Sequence, residues 1–276
     1  MRKKLTLIVL VIVALPLIIL GFERKAVSPN ALVKIVPSKE TTLSDQKIQD
    51  DTNLTSVSKK TEYSVPILMY HYVRDLNDPN DKVGMNLSVS PAIFDSQMKY
   101  LSEQDYKSIT FAQLNSKELP DKPIMITFDD GYADAYSQAF PILKKYNFTG
   151  VFYIITSKVG QGEYVSWDQL KVMQKAGMTI GSHTVTHPSL DKATKSQIDK
   201  ELTDSKTKLE TELGIKVTDL CYPAGKYNTQ VIEEVNKIGY TDATTTHSGI
   251  SNQDSSLFEL PRIRVESNTN LAKVLK

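Results

Sequence analysis

Two pairs of side chains in this sequence are of the types that bind a divalent cation or transfer a proton. Asp129 and Asp130 directly follow the apolar segment PIMITF, and His183 and His187 lie in the segment GSHTVTHPSL. The chain has four histidines, and two of them fall in this one H-x-x-x-H pattern. Adjacent carboxylates repel one another in a poorly solvated place unless a cation or a proton relieves the repulsion. These four residues therefore predict a metal site.

The spacing and the types of these residues indicate the chemistry that such a site supports. A separation of four residues in a helical turn brings both imidazoles to one side, within reach of a single ion. Two histidines and one carboxylate form a catalytic zinc set, and the second carboxylate is then free to act as a base. The plainer interpretation makes one acid a helix cap and the histidines structural, and it accounts less well for the second acid. Iron oxygenases use the same ligand types but do not call for that second acid.

The elements that must position these groups alternate along the chain from Tyr63 onward. Short apolar segments typical of buried strands are separated by longer helical patterns, which predicts right-handed βαβ units and a parallel sheet. With about seven strands, we expect a closed or nearly closed α/β barrel rather than an open doubly wound sheet. In both architectures, functional side chains gather where strands end. The predicted strands are VPILMYHY, PIMITF, GVFYII, MTIGS, VTDLCY, YTDATTT and FELPRIRV.

Local signals define several of the helices. Ser90 is the predicted N-cap of a helix over SPAIFDSQMKYLSEQ, and Ser166 opens a capping box for SWDQLKVMQKAG. A long polar-faced helix is predicted over residues 194–213, and another over TQVIEEVNKIG. The helix that follows Asp129 and Asp130 is predicted to bend at Pro141.

The segment TFDDG, followed later by SHTVTHP, resembles the first two motifs of the polysaccharide deacetylases, the NodB-homology group of carbohydrate esterases. The resemblance covers most of Tyr63–Val265. It implies a distorted (β/α) barrel and the removal of acetyl groups from N-acetylated or O-acetylated sugars. Carried over by motif, it implies that Asp130, His183 and His187 bind a divalent metal ion and that Asp129 is the catalytic base. We expect zinc, with cobalt, nickel or manganese as alternatives.

The third motif of the family resembles LCYPAGKYN, residues 220–228, but with a departure. Family members commonly carry an arginine near its start that steadies the base, whereas this chain has Cys221 and Tyr222 there. Arg262 is the predicted substitute. The resemblance implies that the turn at Ala224 presents a backbone N–H to the oxyanion, although a plain βα turn explains the same residues. The predicted substrate contacts are Tyr222, Ala224, Tyr227, Arg262 and Trp167.

The last family motif supplies a histidine that acts as general acid, and here the chain departs again. His71 follows the first predicted strand, in PILMYH, which resembles the opening of the subgroup that includes biofilm poly-N-acetylglucosamine deacetylases. We therefore predict His71 as a catalytic residue. His247, among Thr and Ser residues, is predicted to lie in a loop. Trp167 opens a helix and is either a platform for a sugar ring or a packing residue.

The N-terminal part of the chain differs from the rest in composition. A basic flank, Arg2–Lys4, precedes the apolar run Leu5–Phe22. This pattern predicts a membrane anchor or an export signal in residues 1–22, and the anchor is favoured because no small-residue cleavage site follows. Residues 23–62 are polar and lack aromatics, which predicts a flexible linker to a deacetylase domain over 63–276.

The overall composition excludes several classes of function. The 276 residues are 40% hydrophobic with a formal charge of +1, so no global field favours nucleic acid. A single cysteine, Cys221, excludes an internal disulfide framework and a cysteine-based zinc cluster.

The sequence therefore predicts a monomeric, extracytoplasmic hydrolase, tethered to the membrane or secreted. It is expected to remove N-acetyl groups from an N-acetylglucosamine polymer such as poly-N-acetylglucosamine or peptidoglycan. The alternatives are an O-acetyl esterase acting on xylan or another glycan, and a non-catalytic carbohydrate-binding module.

Overall fold

The computed structural model describes residues 63–276 of the chain. The predictions for residues 1–22 and 23–62, a membrane anchor or export signal and a flexible linker, lie outside the described residues. Within residues 63–276, no helix is both long enough and apolar enough to cross a membrane.

Seven parallel strands form the centre of the domain. They are β1 (Ile67–Tyr70), β2 (Pro123–Phe128), β3 (Val151–Ile154), β4 (Thr179–Ser182), β5 (Asp219–Cys221), β6 (Asp242–Ser248) and β7 (Leu260–Arg264). Each strand pairs with its neighbours in chain order, and β1 pairs with both β2 and β7, which closes a barrel. Leu68 of β1 lies opposite Ile126 of β2 and Ile263 of β7. The predicted (β/α) barrel is confirmed.

The barrel is distorted on one side. The register between β6 and β7 shifts between Thr244 and Ser248, and β4 meets β5 at the single pair Ser182 and Leu220. Short strands lie beside the barrel: Ser64–Val65 pairs with Ser251–Asn252, Tyr72–Val73 with Ser88–Val89, and Lys107–Ser108 with the start of β2.

Helices surround the barrel. They are α1 (Lys82–Leu87), α2 (Pro91–Glu103), α3 (Phe111–Ser116), α4 (Phe140–Lys145), α5 (Trp167–Lys175), α6 (Lys195–Leu213), α7 (Thr229–Ile238) and α8 (Leu271–Val274). The Ser90 side chain accepts from the Ile93 N–H at 3.2 Å, so the predicted cap of α2 is present. The capping box predicted at Ser166 is present at the start of α5. A π-helical turn over Ala135–Ala139 precedes α4, which contains Pro141, so the helix changes type where a bend was predicted.

Strand alternation divides the apolar side chains into two cores. Leu68, Ile126 and Phe152 point outward and pack beneath the helices. Ile67 and Met125 point inward, where Phe111 and Leu114 of α3 join them. The inward positions farther along β2, β5 and β7 are occupied by Thr127, Asp129, Cys221 and Arg262, so the interior becomes polar toward the carboxyl ends of the strands.

Candidate active site

The carboxyl ends of the barrel strands bring the predicted chemical groups together. Asp129 and Asp130 follow β2, His71 follows β1, and His183 and His187 lie in the loop after β4. Because all of these strands are parallel, their carboxyl ends meet at one rim of the barrel, where the loops can hold a common site.

Asp130, His183 and His187 converge on one point. Asp130 Oδ1 lies 3.5 Å from His183 Nε2 and 3.6 Å from His187 Nε2, and the three atoms lie within 4.8 Å of one another. Ligand atoms around one tetrahedral zinc ion are separated by roughly 3.3 Å, as follows from zinc–ligand distances near 2.0 Å. His183 is buried, and the His187 side chain is 34% exposed. The donors therefore fit a single ion that solvent reaches from the His187 side.

The orientation of His183 supports the same interpretation. Its Nδ1 lies 2.7 Å from the carbonyl oxygen of Cys221, so Nδ1 is assigned as the protonated nitrogen. This hydrogen bond leaves the lone pair of Nε2 facing Asp130. Histidine ligands of metals commonly donate their other ring nitrogen in this way, which fixes the tautomer.

The loop that carries the two histidines differs from the predicted helical turn. Residues 183–187 are not helical, and Thr184 and His187 have φ of 67° and 62°, in the left-handed region. Such a conformation costs on the order of 1–3 kcal/mol at a residue other than glycine. Thr184 Oγ1 accepts from the His187 N–H at 3.1 Å and closes the loop internally. The imidazoles therefore converge through an irregular loop, and the assumption of helical spacing was wrong.

Asp129 is held by a buried arginine. Arg262 Nη1 and Nη2 donate to the two carboxylate oxygens of Asp129 at 2.7 Å each. Arg262 is itself fixed by the Thr245 carbonyl oxygen, at 2.8 Å from Nε, and by Thr127 Oγ1, at 3.0 Å from Nη1. Arg262 is fully buried, so it contacts the predicted base and not a sugar.

The same arginine sets the protonation state of Asp129. Burial opposes ionisation of this carboxyl, but the charge and the hydrogen bonds of Arg262 outweigh burial and hold its pKa well below the usual range. Asp129 is therefore a carboxylate at any pH near neutrality.

A second set of donors, Asp129, His183 and Cys221, is also close enough to hold an ion. Both oxygens of Asp129 are engaged by Arg262, and the Cys221 thiol lies 3.6 Å from Asp129 Oδ2 and 3.2 Å from Arg262 Nη2. The positive charge of Arg262 disfavours a cation there, so the set built on Asp130 is the better metal site. Sequence reasoning missed that the Cys221 thiol lies beside the predicted base. The signal for this contact was the alternation of side chains along β5, which points Cys221 inward.

The structure places His71 beside the predicted base. His71 Nε2 lies 3.8 Å from Asp129 Oδ2, and its Nδ1 is buried and unpartnered among the described residues. Burial lowers the pKa of His71, and it outweighs the opposing effect of Asp129 and Asp130. His247, which was predicted to lie in a loop, belongs instead to β6, and its ring lies 5.9 Å from that of Tyr227.

Comparisons with known proteins agree with this arrangement. A family model described as polysaccharide deacetylase matches residues 116–243. The Bacillus subtilis (strain 168) protein YxkH is 32% identical over 225 residues, which cover 80% of this chain and 77% of YxkH. The Streptococcus pyogenes deacetylase PplD, solved in complex with acetate, has a TM-score of 0.73 and 32% identity, covering 78% of this chain and 98% of PplD. This chain belongs to the polysaccharide deacetylase family.

A further relative of this polysaccharide deacetylase is named for its substrate. The poly-β-1,6-N-acetyl-D-glucosamine N-deacetylase of Staphylococcus aureus (strain MRSA252) is 29% identical over 236 residues, covering 76% of this chain and 81% of that protein. The relatives are deacetylating hydrolases, and the present chain is a polysaccharide deacetylase with the same fold.

In this deacetylase, the turn after β5 contains a left-handed residue, Ala224. Ala224 is exposed and has φ of 50°, and the N–H groups of Gly225 and Lys226 donate to carbonyl oxygens within the turn. The oxyanion contact of the Ala224 N–H stays a prediction.

The aromatic residues predicted to contact substrate lie in different surroundings. Tyr222 is fully buried, donates to the Phe258 carbonyl oxygen at 3.1 Å and has no surface for a sugar. Tyr227 is half-buried and donates to Glu259 at 3.0 Å. Trp167 is half-buried against the outer core. Tyr222 is therefore a packing residue. Trp167 packs against the core with part of its ring, and sugar binding by the partly exposed Trp167 and Tyr227 stays a prediction.

A column of aromatic rings that sequence reasoning missed supports the loop after Asp130. The rings of Tyr72 and Tyr132 lie 4.1 Å apart, and those of Tyr132 and Tyr164 lie 5.0 Å apart. Arg74 Cζ lies over the Tyr72 ring, 3.8 Å from its centroid, and Lys158 Nζ lies 5.8 Å from the centroid of the Tyr164 ring. The column therefore packs the segment after Asp130 against its neighbours.

Proposed function

We propose that this deacetylase removes N-acetyl groups from an extracellular polysaccharide that contains N-acetylglucosamine, and that the reaction depends on a divalent metal ion. The observation that carries the proposal is that the two adjacent acids at the end of β2 have different partners. Asp130 joins two imidazoles in a cluster of metal-type donors, while the neighbouring Asp129 is kept ionised by Arg262. A metal ligand and a base thus stand side by side.

Asp130, His183 and His187 would hold the ion, which we expect to be zinc, or else cobalt, nickel or manganese. Bound there, a divalent ion supplies a Lewis acid that polarises the acetyl carbonyl and lowers the pKa of water. The lowered pKa of Asp129 supports such an ion, because a weak base removes a proton more readily from an acidified water.

The residues of the chain then account for the rest of the hydrolysis. Asp129 takes the proton as the water oxygen forms a bond to the acetyl carbon. A backbone N–H at Ala224 stabilises the oxyanion. As the carbon–nitrogen bond breaks, His71 protonates the departing amine, and acetate and a free amino sugar are released. The alternative is that Asp129 returns its own proton, which would make His71 a substrate contact or a core histidine.

The choice of an amide-linked acetyl group on N-acetylglucosamine is supported by the Staphylococcus aureus relative named for that substrate. Mass spectrometry of a defined N-acetylglucosamine oligomer, incubated with the zinc-loaded protein, tests it directly. We expect a mass loss of one acetyl group for each sugar processed. Activity on acetylated xylan alone would make the protein an O-acetyl esterase, and glycan binding without turnover would make it a binding module.

We further propose that the protein acts outside the cytoplasm and that its N-terminal segment holds it at the membrane. The basic flank before the apolar run Leu5–Phe22 and the polymeric nature of the substrate support this location. Cell fractionation with a size comparison of the mature protein decides the matter. A shortened, freely secreted form would mean that the segment is a cleaved signal.

A further inference from the structure

A carboxylate on α6 is bonded to the loop that carries the two predicted histidine ligands. Glu201 Oε2 accepts hydrogen bonds from the backbone N–H groups of Val185, at 2.8 Å, and Thr186, at 2.9 Å. Glu201 Oε1 accepts from the Thr186 hydroxyl at 2.6 Å. Val185 and Thr186 lie between His183 and His187, so one side chain engages the centre of the loop.

The conformation of this loop is one that its sequence does not favour locally. Thr184 is β-branched and His187 precedes Pro188, yet both have positive φ. Such values are rare for a β-branched residue and for a residue that precedes proline. A contact from outside the loop adds to the internal hydrogen bond between Thr184 and His187 in holding the backbone in this form. A carboxylate that accepts from two successive N–H groups is suited to that task, because hydrogen bonds to a charged acceptor are the strong ones.

We propose that Glu201 is a positioning residue for the metal site. It holds the loop in the conformation in which both imidazoles face Asp130, so that the donors are in place before the ion arrives. This inference rests on the proposed role of His183 and His187 as metal ligands. Glu201 acts through the backbone, and the loss of contacts that orient metal ligands weakens metal binding.

A second acid on the same helix provides a matched control. Glu210 Oε1 accepts from the Val217 backbone N–H at 3.0 Å and from Lys206 Nζ at 2.9 Å. This contact also joins α6 to a loop, but the loop is the one that leads into β5 at the opposite end of the barrel. A purely structural role for such carboxylates would make substitutions at Glu201 and Glu210 equivalent.

Zinc affinity is the first measurement, made by chelator competition on metal-free wild type, Glu201→Ala, Glu201→Gln and Glu210→Ala, each shown to be folded by circular dichroism. We expect Glu201→Ala to bind zinc about 10–100-fold more weakly. Glu201→Gln should lose less zinc affinity, because its amide oxygen still accepts hydrogen bonds from the loop. The zinc affinity of Glu210→Ala should match that of wild type. If Glu201→Gln is the only folded variant at this position, it alone decides. Affinity equal to wild type in every folded Glu201 variant would overturn the proposal.

A second measurement does not depend on metal. Amide hydrogen exchange at Val185 and Thr186 in the metal-free protein should be faster in Glu201→Ala than in wild type and in Glu210→Ala. Unchanged protection of these two amides would show that Glu201 does not hold the loop. Wild-type protein that binds no zinc would instead refute the proposed metal site, and with it the role of Glu201 in metal binding. The exchange rates would still show whether Glu201 holds the loop.

Discussion

Asp129 and Asp130 are neighbours in the chain, but their carboxylates meet different partners. Asp129 continues the inward alternation of β2 and is bound by Arg262. Asp130 has φ of 72°, which breaks the alternation and turns it toward the imidazoles of His183 and His187. Burial alone would raise the pKa of both carboxyls, and their partners reverse the shift in each case. The left-handed backbone at Asp130 thus directs the predicted base, Asp129, and the predicted metal ligand, Asp130, to different partners.

The roles of the two acids are tested by Asp129→Asn. The amide keeps the shape of the side chain but cannot accept the proton, so we expect turnover to fall by about 10²–10⁴-fold with zinc content unchanged. The substitution also leaves Arg262 without its anionic partner, so stability should fall by about 3–5 kcal/mol, and turnover must be measured on folded protein. Loss of zinc together with turnover would mean that Asp129 is the ligand.

The role of His71 is tested by the dependence of turnover on pH in His71→Ala and His247→Ala. The acid must carry a proton, so activity declines as the pH rises through its pKa. Because burial lowers the pKa of His71, we expect this decline below the ordinary value of about 6.5 in wild type. In His71→Ala, turnover should fall at least tenfold and should no longer decline as the pH rises. His247→Ala should keep the turnover and the pH dependence of wild type. A His71→Ala protein within a few-fold of wild type, with the basic decline intact, would contradict the assignment.

At the scale of elements, sequence patterns predicted structure well where the determinants are local. The caps at Ser90 and Ser166 and the apolar run of β2 lie within a few residues of the elements that they define. The loop after β4 could not be predicted in this way, because Glu201 of α6 is bonded to it from outside. The segment around His247 has the polar composition of a loop, but pairing with β7 makes it a strand.

The turn after β5 offers a matched test of backbone geometry. Gly225 and Gly214 have the same φ of 65°, but a Cβ on Gly225 would lie 2.1 Å from Thr246 Oγ1, whereas a Cβ on Gly214 would meet nothing within 4 Å. We expect Gly214→Ala to cost about 1 kcal/mol of unfolding free energy through strain alone. Gly225→Ala should cost more, because β6 must also move. Equal losses in urea denaturation would show that the turn relaxes freely.

At the scale of the whole domain, a pair of carboxyls in the barrel interior couples stability to pH. Asp219 of β5 lies opposite Asp242 of β6, and both are buried. Burial raises the pKa of Asp219 to about 6, and burial together with the neighbouring Asp219 raises that of Asp242 well above its usual value. The folded protein therefore holds protons that the unfolded chain releases near pH 4. This contribution to stability is complete below about pH 4 and is lost as the pH rises through the folded values.

Stability should consequently fall as the pH rises from about 4 through about 6, the folded pKa of Asp219, and it should fall further where Asp242 ionises. Asp242→Asn removes one of the two charges, so it should flatten this dependence and make the variant more stable than wild type at pH 8. Urea denaturation across this range measures the effect, with the exposed Asp121→Asn as a control that keeps the wild-type slope. A steep slope in Asp242→Asn would show that the pair is not its source.

The contact between Asp129 and Arg262 has a consequence for how the protein is made. The two residues are 133 positions apart, and Arg262 lies on β7, the last barrel strand to leave the ribosome. A nascent chain that has completed the first six strands already contains His71, both acids and the paired histidines, but Asp129 has no anchoring cation. If Asp129 is the base, as proposed, we expect activity to appear only once β7 has joined β1. A chain cut short before Arg262 should then show no deacetylation.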